Sequence, residues 1–362
     1  MLIDNGYNPL PIQRIDVFAW QGDITPGSSF RTFANGNHTT DEIENACPVK
    51  ILDGGRLTDG NAYYYIPSGD TFVPGNVILA GYDSNDEIVW TWHLWIAPDG
   101  VGEEKWGKYI VLDRNIGATW RPSQASEINQ DNHPSSVGFY YQWGRKDPLP
   151  MPRKNDRNNL YAPLYRKVNG VWTKETTLAS QAAGTIEESV KNPHKYFNRN
   201  TNTTGNYWQT SWVDVNGQNT EAPLRNIWGY TGVEGSTGDT FVKTMWDPCP
   251  AGYKVGSHEV LFGWNVGANT DNRQEITGST DFGIFNSEGA NSKWLPETGR
   301  IKNGGELEEP ENNAGYLNCS CPFANGSVYR GLYYYIQNRT QYIGQSANSN
   351  ECLAVPVRCV RE

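Results

Sequence analysis

The chain has 362 residues, of which 37% are hydrophobic and 19% charged, with a formal net charge of −10. That length accommodates two domains, each able to bury its own core. The acidic balance argues against nucleic acid and anionic membrane surfaces, because both select clustered Lys and Arg.

No stretch has the ~20 apolar residues of a bilayer-crossing helix, so membrane insertion is not expected. Glycine (38), tyrosine (20) and tryptophan (14) are abundant, which suits a β-rich, loop-rich extracellular protein better than a helical enzyme. Met1-Leu2-Ile3-Asp4-Asn5 shows neither the basic region nor the apolar core of a signal peptide. Six cysteines in a Trp-, Tyr- and Asn-rich chain nonetheless favour an oxidising compartment. A secreted or cell-surface protein whose leader is absent from this chain is the expectation. Cys47 stands far from the other five and reads as a free buried thiol.

Residues 15–97 read as strands. Ile15-Asp16-Val17-Phe18-Ala19-Trp20 and Ala62-Tyr63-Tyr64-Tyr65-Ile66 alternate. Asn76-Val77-Ile78-Leu79-Ala80-Gly81-Tyr82 and Glu87-Ile88-Val89-Trp90-Thr91-Trp92-His93-Leu94-Trp95 flank the polar turn Asp83-Ser84-Asn85-Asp86, a hairpin signal. The period of two predicts Ile88, Trp90, Trp92 and Leu94 on one inward face. A β-sandwich-like domain over 1–100 is expected, ending at the turn Ala97-Pro98-Asp99-Gly100. Residues 109–112 read as a strand running into a loop. Residues 150–245 are polar and weakly periodic, a decorated insertion or surface excursion. Helix candidates are 139–144 and 177–190.

Cys249 and Cys359 bracket the last third of the chain. A bond between them is an expectation only, since sequence does not set connectivity. Cys319 and Cys321 are one residue apart, too close for a zinc or redox spacing, and Cys321–Cys352 and Cys319–Cys352 remain equal alternatives.

Three strings occur in order: Leu112-Asp113-Arg114-Asn115-Ile116-Gly117-Ala118-Thr119, Tyr140-Tyr141-Gln142-Trp143-Gly144-Arg145-Lys146-Asp147-Pro148 and Asp247-Pro248-Cys249-Pro250-Ala251-Gly252-Tyr253. With Trp294-Leu295-Pro296-Glu297-Thr298-Gly299 and Val357-Arg358-Cys359-Val360, the chain from about residue 108 onward resembles the Fibrobacter succinogenes major paralogous domain. That family occurs in secreted, surface-anchored and fimbria-associated proteins of Bacteroidetes. The resemblance implies an α+β architecture: a C-type-lectin-like domain over 101–362, with the insertion at 150–245, whose N- and C-terminal strands pair. It also implies a cell-surface adhesin, at the outer membrane or a pilus tip, in some relatives diversified by retroelements. The 318–350 segment has the Asn, Ser, Tyr, Arg and Gly mix such diversification yields. Gly315-Tyr316-Leu317-Asn318-Cys319-Ser320-Cys321-Pro322 departs from the Tyr-Trp-Ser-like strand start expected there.

Candidate chemistry is sparse. His38, His93, His133, His194 and His258 show no metal-ligand spacing, and no metal or other cofactor is expected. Glu308-Glu309-Pro310-Glu311-Asn312-Asn313 has oxygen ligands for calcium but reads better as a solvated acidic loop. Asp113-Arg114-Asn115 and Arg145-Lys146-Asp147 read as buried pairing and turn capping rather than catalysis. Trp143, Trp246 and Trp294 read as core anchors. No nucleophile elbow or phosphate-cradling loop appears, so no reaction is expected.

The binding segment is placed on 318–350. Leu332, Tyr334 and Ile336 are read as facing in, and Tyr333, Tyr335 and Gln337 out. Tyr gives rigid contact area, and Asn, Ser and Gly add adaptable hydrogen bonds, as in antibody paratopes. The predicted ligand-binding set is Asn318, Ser320, Asn325, Tyr329, Arg330, Tyr333, Tyr335, Gln337, Asn338, Arg339, Tyr342, Asn348 and Asn350. Expected partners are a host or bacterial surface protein or glycan, with other pilus subunits meeting the N-terminal domain. Two alternatives are a structural pilus or matrix subunit without ligand, and a formylglycine-generating-like oxidase using Cys319 and Cys321.

Overall fold

A single carboxylate sets the first hairpin. Asp83 Oδ1 accepts from the backbone N–H groups of Asn85 (2.8 Å) and Glu87 (2.9 Å), and Asp86 takes φ 62°. Asp tolerates that left-handed conformation while its side chain closes the turn. The flanking strands are Gly75–Tyr82 and Ile88–Ile96. The computed structural model describes residues 12–21, 40–129, 132–149, 164–168, 170–175, 180–181, 184–198, 208, 227–229, 242–257, 260, 278–280, 282–288, 291–301, 307–308, 315–325, 328–337, 342–346 and 353–362. Over these residues the protein is mostly strands in several small sheets, with few and short helices.

The first sheet is antiparallel, in the order Val171–Glu175, Leu164–Val168, Arg14–Gln21, Gly75–Tyr82, Ile88–Ile96. Every residue of Gly75–Tyr82 is buried, so both faces of the sheet are covered. One face packs Val17, Val77, Leu79, Tyr165 and Trp172 against Ile43, Cys47 and Val49, from the helix Thr40–Ala46 and the chain after it. Glu44 of that helix accepts from Lys167 Nζ (2.6 Å) and Trp172 Nε1 (2.7 Å). The expected inward set on Ile88–Ile96 is corrected by this double coverage. Ile88 and Thr91 are buried while Trp90, Trp92 and Leu94 are only partly so, and the register shift between Gly81 and Tyr82 puts Ile88 on the face of Thr91, opposite Trp92 and Leu94.

The hairpin of Leu164–Val168 and Val171–Glu175 comes from the region expected to be an insertion in the second domain. It instead extends the first sheet, with Trp20 opposite Tyr165. Two aromatic residues, Tyr165 and Trp172, carry it into the core. Fully burying side chains of that size contributes about 1.5–3 kcal/mol each.

The rest of the chain forms a second set of sheets. Tyr253–Val255, Cys359–Arg361, Tyr109–Leu112 and Glu103–Trp106 make one, in that order, so the terminal strand lies between Tyr253–Val255 and Tyr109–Leu112. Leu307–Glu308, Arg300–Ile301, Ala354–Pro356 and Tyr140–Gln142 make another. Residues 139–144, expected to be helical, are thus corrected to a strand, Tyr140–Gln142. All three of its residues are buried, so no helical period could be satisfied by facing water. The expected helix at 177–190 is shorter and later, Ile186–Lys191, opened by a capping box between Thr185 and Glu188.

The strings that carry the family resemblance interlock in one core of Leu112, Ile116, Phe139, Tyr141, Trp143, Cys249, Val255, Val357 and Cys359, with Ile227 and Trp228. Cys249 and Cys359 are disulfide-bonded across 110 positions of sequence. Gly117 sits at φ 86°, and a Cβ there would lie 2.0 Å from the Phe139 ring. Only glycine fits both the conformation and the contact. Trp143 and Trp294 are fully buried, and Trp246 is partly buried against the same core.

Candidate binding face

Asp247 organises the start of the disulfide frame. Its Oδ1 accepts from Cys249 N (2.8 Å) and its Oδ2 from Val255 N (2.9 Å), and Lys243 Nζ lies 2.8 Å from Oδ1. Burial pushes its carboxyl above the usual range, against the pull of Lys243. The frame closes on the strands Gly315–Asn325, Val328–Gln337 and Tyr342–Ser346, an antiparallel sheet.

Backbone register sorts the predicted binding residues. Asn318 is opposite Tyr333, Tyr316 opposite Tyr335, and Tyr342 opposite Gln337. Directly opposed residues share a face and neighbours along a strand alternate, so Asn318, Tyr333, Tyr335, Gln337 and Tyr342 hold positions of one face. Tyr329 has the same parity on its strand. Leu317 belongs to the opposite face, opposite Tyr334, and is buried. Two members of the set fall elsewhere. Asn325 is opposite Val328, and Arg330 opposite Phe323, on the face shared with Leu317 and toward the hairpin tip. Ser320 is corrected outright: it is fully buried, and its N–H donates to Gly256 O at 2.9 Å. It lies within a register irregularity between Asn318 and Pro322, where it has no opposite residue on the neighbouring strand. Asn338, Arg339, Asn348 and Asn350 lie outside the described residues, as does the calcium candidate from Glu309 to Asn313. The pairing of Cys319, Cys321 and Cys352 likewise falls outside what is described.

The two charged strings are internal. Lys146 Nζ contacts Asp147 Oδ1 (2.8 Å), Thr91 O (3.0 Å) and Thr91 Oγ1, and sits over the Trp90 ring. Thr91 Oγ1 donates to the same Asp147 oxygen at 2.6 Å. Arg145 donates to the backbone oxygens of Lys195 (2.6 Å), Pro193 (2.5 Å) and Asn192 (3.4 Å). Burial lowers the Lys146 ammonium and brings the Arg145 guanidinium down to about 10. Asp113 is paired with Arg114 at 2.7 Å, which outweighs burial and holds its carboxyl below the usual range. Burial is the largest influence on Glu104 and pushes it up to about 7, although Arg121 lies 2.6 Å away and Arg358 3.9 Å. These groups are engaged with other groups of the protein.

Two features were not signalled by sequence. His93 bridges the two sets of sheets: Nε2 is 2.9 Å from Asn76 Oδ1 and Nδ1 is 3.2 Å from Tyr141 Oη. Asn76 Nδ2 donates to Gly117 O, leaving its Oδ1 to accept from His93, so the Nε2–H tautomer is the consistent one. Burial pushes that imidazole down to about 4. The second feature is an exposed run, Tyr63, Tyr64, Tyr65 and Ile66, with Leu52 beside it. An aromatic triplet in an alternating string reads as core, and only the structure reveals it as surface. Among the described residues no group of three or more His, Cys, Asp or Glu is placed to hold a metal ion, and no helix is long and apolar enough to cross a membrane.

No family model matches the chain, and neither the curated proteins nor the solved structures contain a match.

Proposed function

We propose that the protein is an extracellular adhesin of C-type-lectin-like architecture that binds a surface protein or glycan. Binding is through the face carrying Asn318, Tyr333, Tyr335, Gln337 and Tyr342. One observation carries this reading: the register that puts those residues on one face puts buried Leu317 on the other. Tyrosines and amides on a sheet anchored from behind combine rigid contact area with adaptable hydrogen bonding. The Cys249–Cys359 bond supports an oxidising location. The ionisable groups of the two charged strings are engaged within the protein, which supports binding rather than catalysis as the activity.

Glycan-array and surface-proteome binding, repeated with Tyr333→Ala and Tyr335→Ala, tests the proposal. Truncating a central tyrosine costs about 2 kcal/mol or more where it is a hot spot, some 30-fold in affinity. Unchanged binding in both variants refutes the choice of face. A second reading, a structural pilus or matrix subunit, is favoured by the exposed tyrosine run of the N-terminal part. Assembly into polymers without ligand binding would select it.

A further inference from the structure

The ribbon that carries the exposed tyrosines is too small to account for itself. Among the described residues Tyr64–Tyr65 pairs with Lys50–Ile51 alone, and a two-stranded ribbon is marginal in water. Yet it presents Tyr63, Tyr64, Tyr65 and Ile66 at 52%, 43%, 49% and 45% exposure, with Leu52 at 43%. Successive residues of a strand point to opposite faces, so both faces of this strand are wet and apolar.

Among the described residues its outer edge is open as well. Leu52 N donates to Tyr63 O at 2.9 Å, and Ile51 stands opposite Tyr64. Hydrogen-bonded and non-hydrogen-bonded pairs alternate in an antiparallel ladder. The pair Ile51 and Tyr64 is therefore the non-bonded kind, and the N–H and C=O of Tyr64 point away from the ribbon. An apolar edge with free backbone groups is a template for strand addition.

We infer that this edge is a homotypic contact: a second copy adds its own 63–66 strand antiparallel to the first, about a two-fold axis at Tyr64. That register pairs Tyr64 with its counterpart through two backbone hydrogen bonds. It sets Tyr63 opposite Tyr65 of the other copy twice over, the cross-strand aromatic pairing that stabilises sheets. An isologous strand contact needs no other surface to be complementary. Three half-exposed tyrosines leave about 100 Å² each. With Leu52 and Ile66 each copy offers about 450 Å², or ~900 Å² in total, at the low end of specific interfaces. The contact is accordingly a weak, concentration-dependent dimer. Two chains of net charge −10 repel at long range, so added salt strengthens the dimer by screening, whereas an electrostatically steered basic partner would lose affinity.

Sedimentation velocity of the whole chain from ~1 to ~200 µM, at low and high salt, reads the association directly. The expected result is a monomer–dimer equilibrium that shifts toward dimer with salt. Tyr64→Pro removes an N–H the ribbon does not use and is tolerated on an edge strand. It weakens dimerisation at least tenfold, as does Tyr65→Lys through like-charge repulsion across the axis. Should Tyr64→Pro lose its native circular dichroism, Tyr65→Lys alone decides. A single monomeric species at the highest concentration overturns the inference. So does a dimer that Tyr65→Lys leaves unchanged. The inference is independent of the adhesin reading, whose test uses residues of a different sheet.

Discussion

His93 ties the N-terminal sheet to the core that follows, and it does so as a neutral imidazole, so acid should loosen this junction. The ring is held between Asn76 Oδ1 and Tyr141 Oη, with its edge against Phe139. Burial brings its pKa from 6.5 down to about 4, Asp147 opposing and Lys146 reinforcing the shift. A depressed folded-state value means that the unfolded chain takes up a proton first as pH falls. The contribution is fully present above pH 6.5 and is lost as pH falls toward 4. At ~1.4 kcal/mol per pH unit, about 2 kcal/mol is gone at pH 5 and about 3 kcal/mol at pH 4. Replacement by a residue that does not titrate, His93→Gln, removes this loss while keeping an amide in hydrogen-bond reach. Urea denaturation of both proteins at pH 7 and pH 5 isolates it as the difference of differences. Other shifted groups, such as Asp16 (raised to about 6) and Glu104 (raised to about 7), are common to both proteins and cancel to first order. The wild type should lose about 2 kcal/mol more than the variant between the two pH values. Equal losses would refute the assignment of His93 as a neutral, buried tie.

Reducing the Cys249–Cys359 bond, which closes a loop of sequence separation 110, should cost about 4–5 kcal/mol in the chain-entropy model. The urea midpoint with and without reductant reads that cost, and an unchanged midpoint contradicts it. Cys47 is buried, its thiol 3.1 Å from Val49 O and pushed up to about 12 by burial. Peptide-level mass spectrometry should find it unmodified by alkylating reagent in native protein and fully modified in urea. Arg358 donates to Asn115 Oδ1 (2.9 Å), Leu112 O (3.1 Å) and Trp294 O (3.0 Å). Arg358→Ala should cost about 3–5 kcal/mol by leaving buried acceptors unpaired and taking one of two arginines from beside Glu104. Arg358→Lys should recover little, since an ammonium cannot reproduce the planar fork; denaturant midpoints of the two variants check both statements.

What was legible in the sequence follows from locality. The hairpin at 76–95 announces itself because one Asp closes a short turn between β-rich runs. Asp113-Arg114 and Lys146-Asp147 were readable as structural pairs because both partners are adjacent in the chain. Residues 139–144 were misread because Tyr140, Tyr141 and Gln142 are all buried, so no alternation marked them as a strand. The hairpin at 164–175 could not be assigned to the first sheet, since its contact with Trp20 and Gln21 spans most of the N-terminal half. His93 looked isolated for the same reason: Asn76 and Tyr141 meet it only across the junction. The segment Val328–Gln337 was legible as a strand. Ser320 was misplaced because it lies inside the register irregularity between Asn318 and Pro322, where the alternation of faces does not hold.

The buried arginines explain how a loop-rich body can carry an adaptable surface. Irregular backbone, strand ends and strand edges leave carbonyl oxygens that no strand partner satisfies, and each one buried unpaired is costly. A guanidinium with five donors can serve several at once. Arg145 does so for Lys195, Pro193 and Asn192, and Arg358 for Leu112 and Trp294. Neither uses a side chain from 318–350 in these contacts. The same is true of the Asp247 turn, the His93 bridge and the disulfide frame. The three-stranded sheet meets this frame through Leu317, Ser320 and the Ser320 N–H. Substitution on the face of Asn318, Tyr333 and Tyr335, where binding is proposed, therefore leaves the groups that hold the frame untouched. A fold organised in that way tolerates sequence change where binding is proposed and resists it at the strings that form its core.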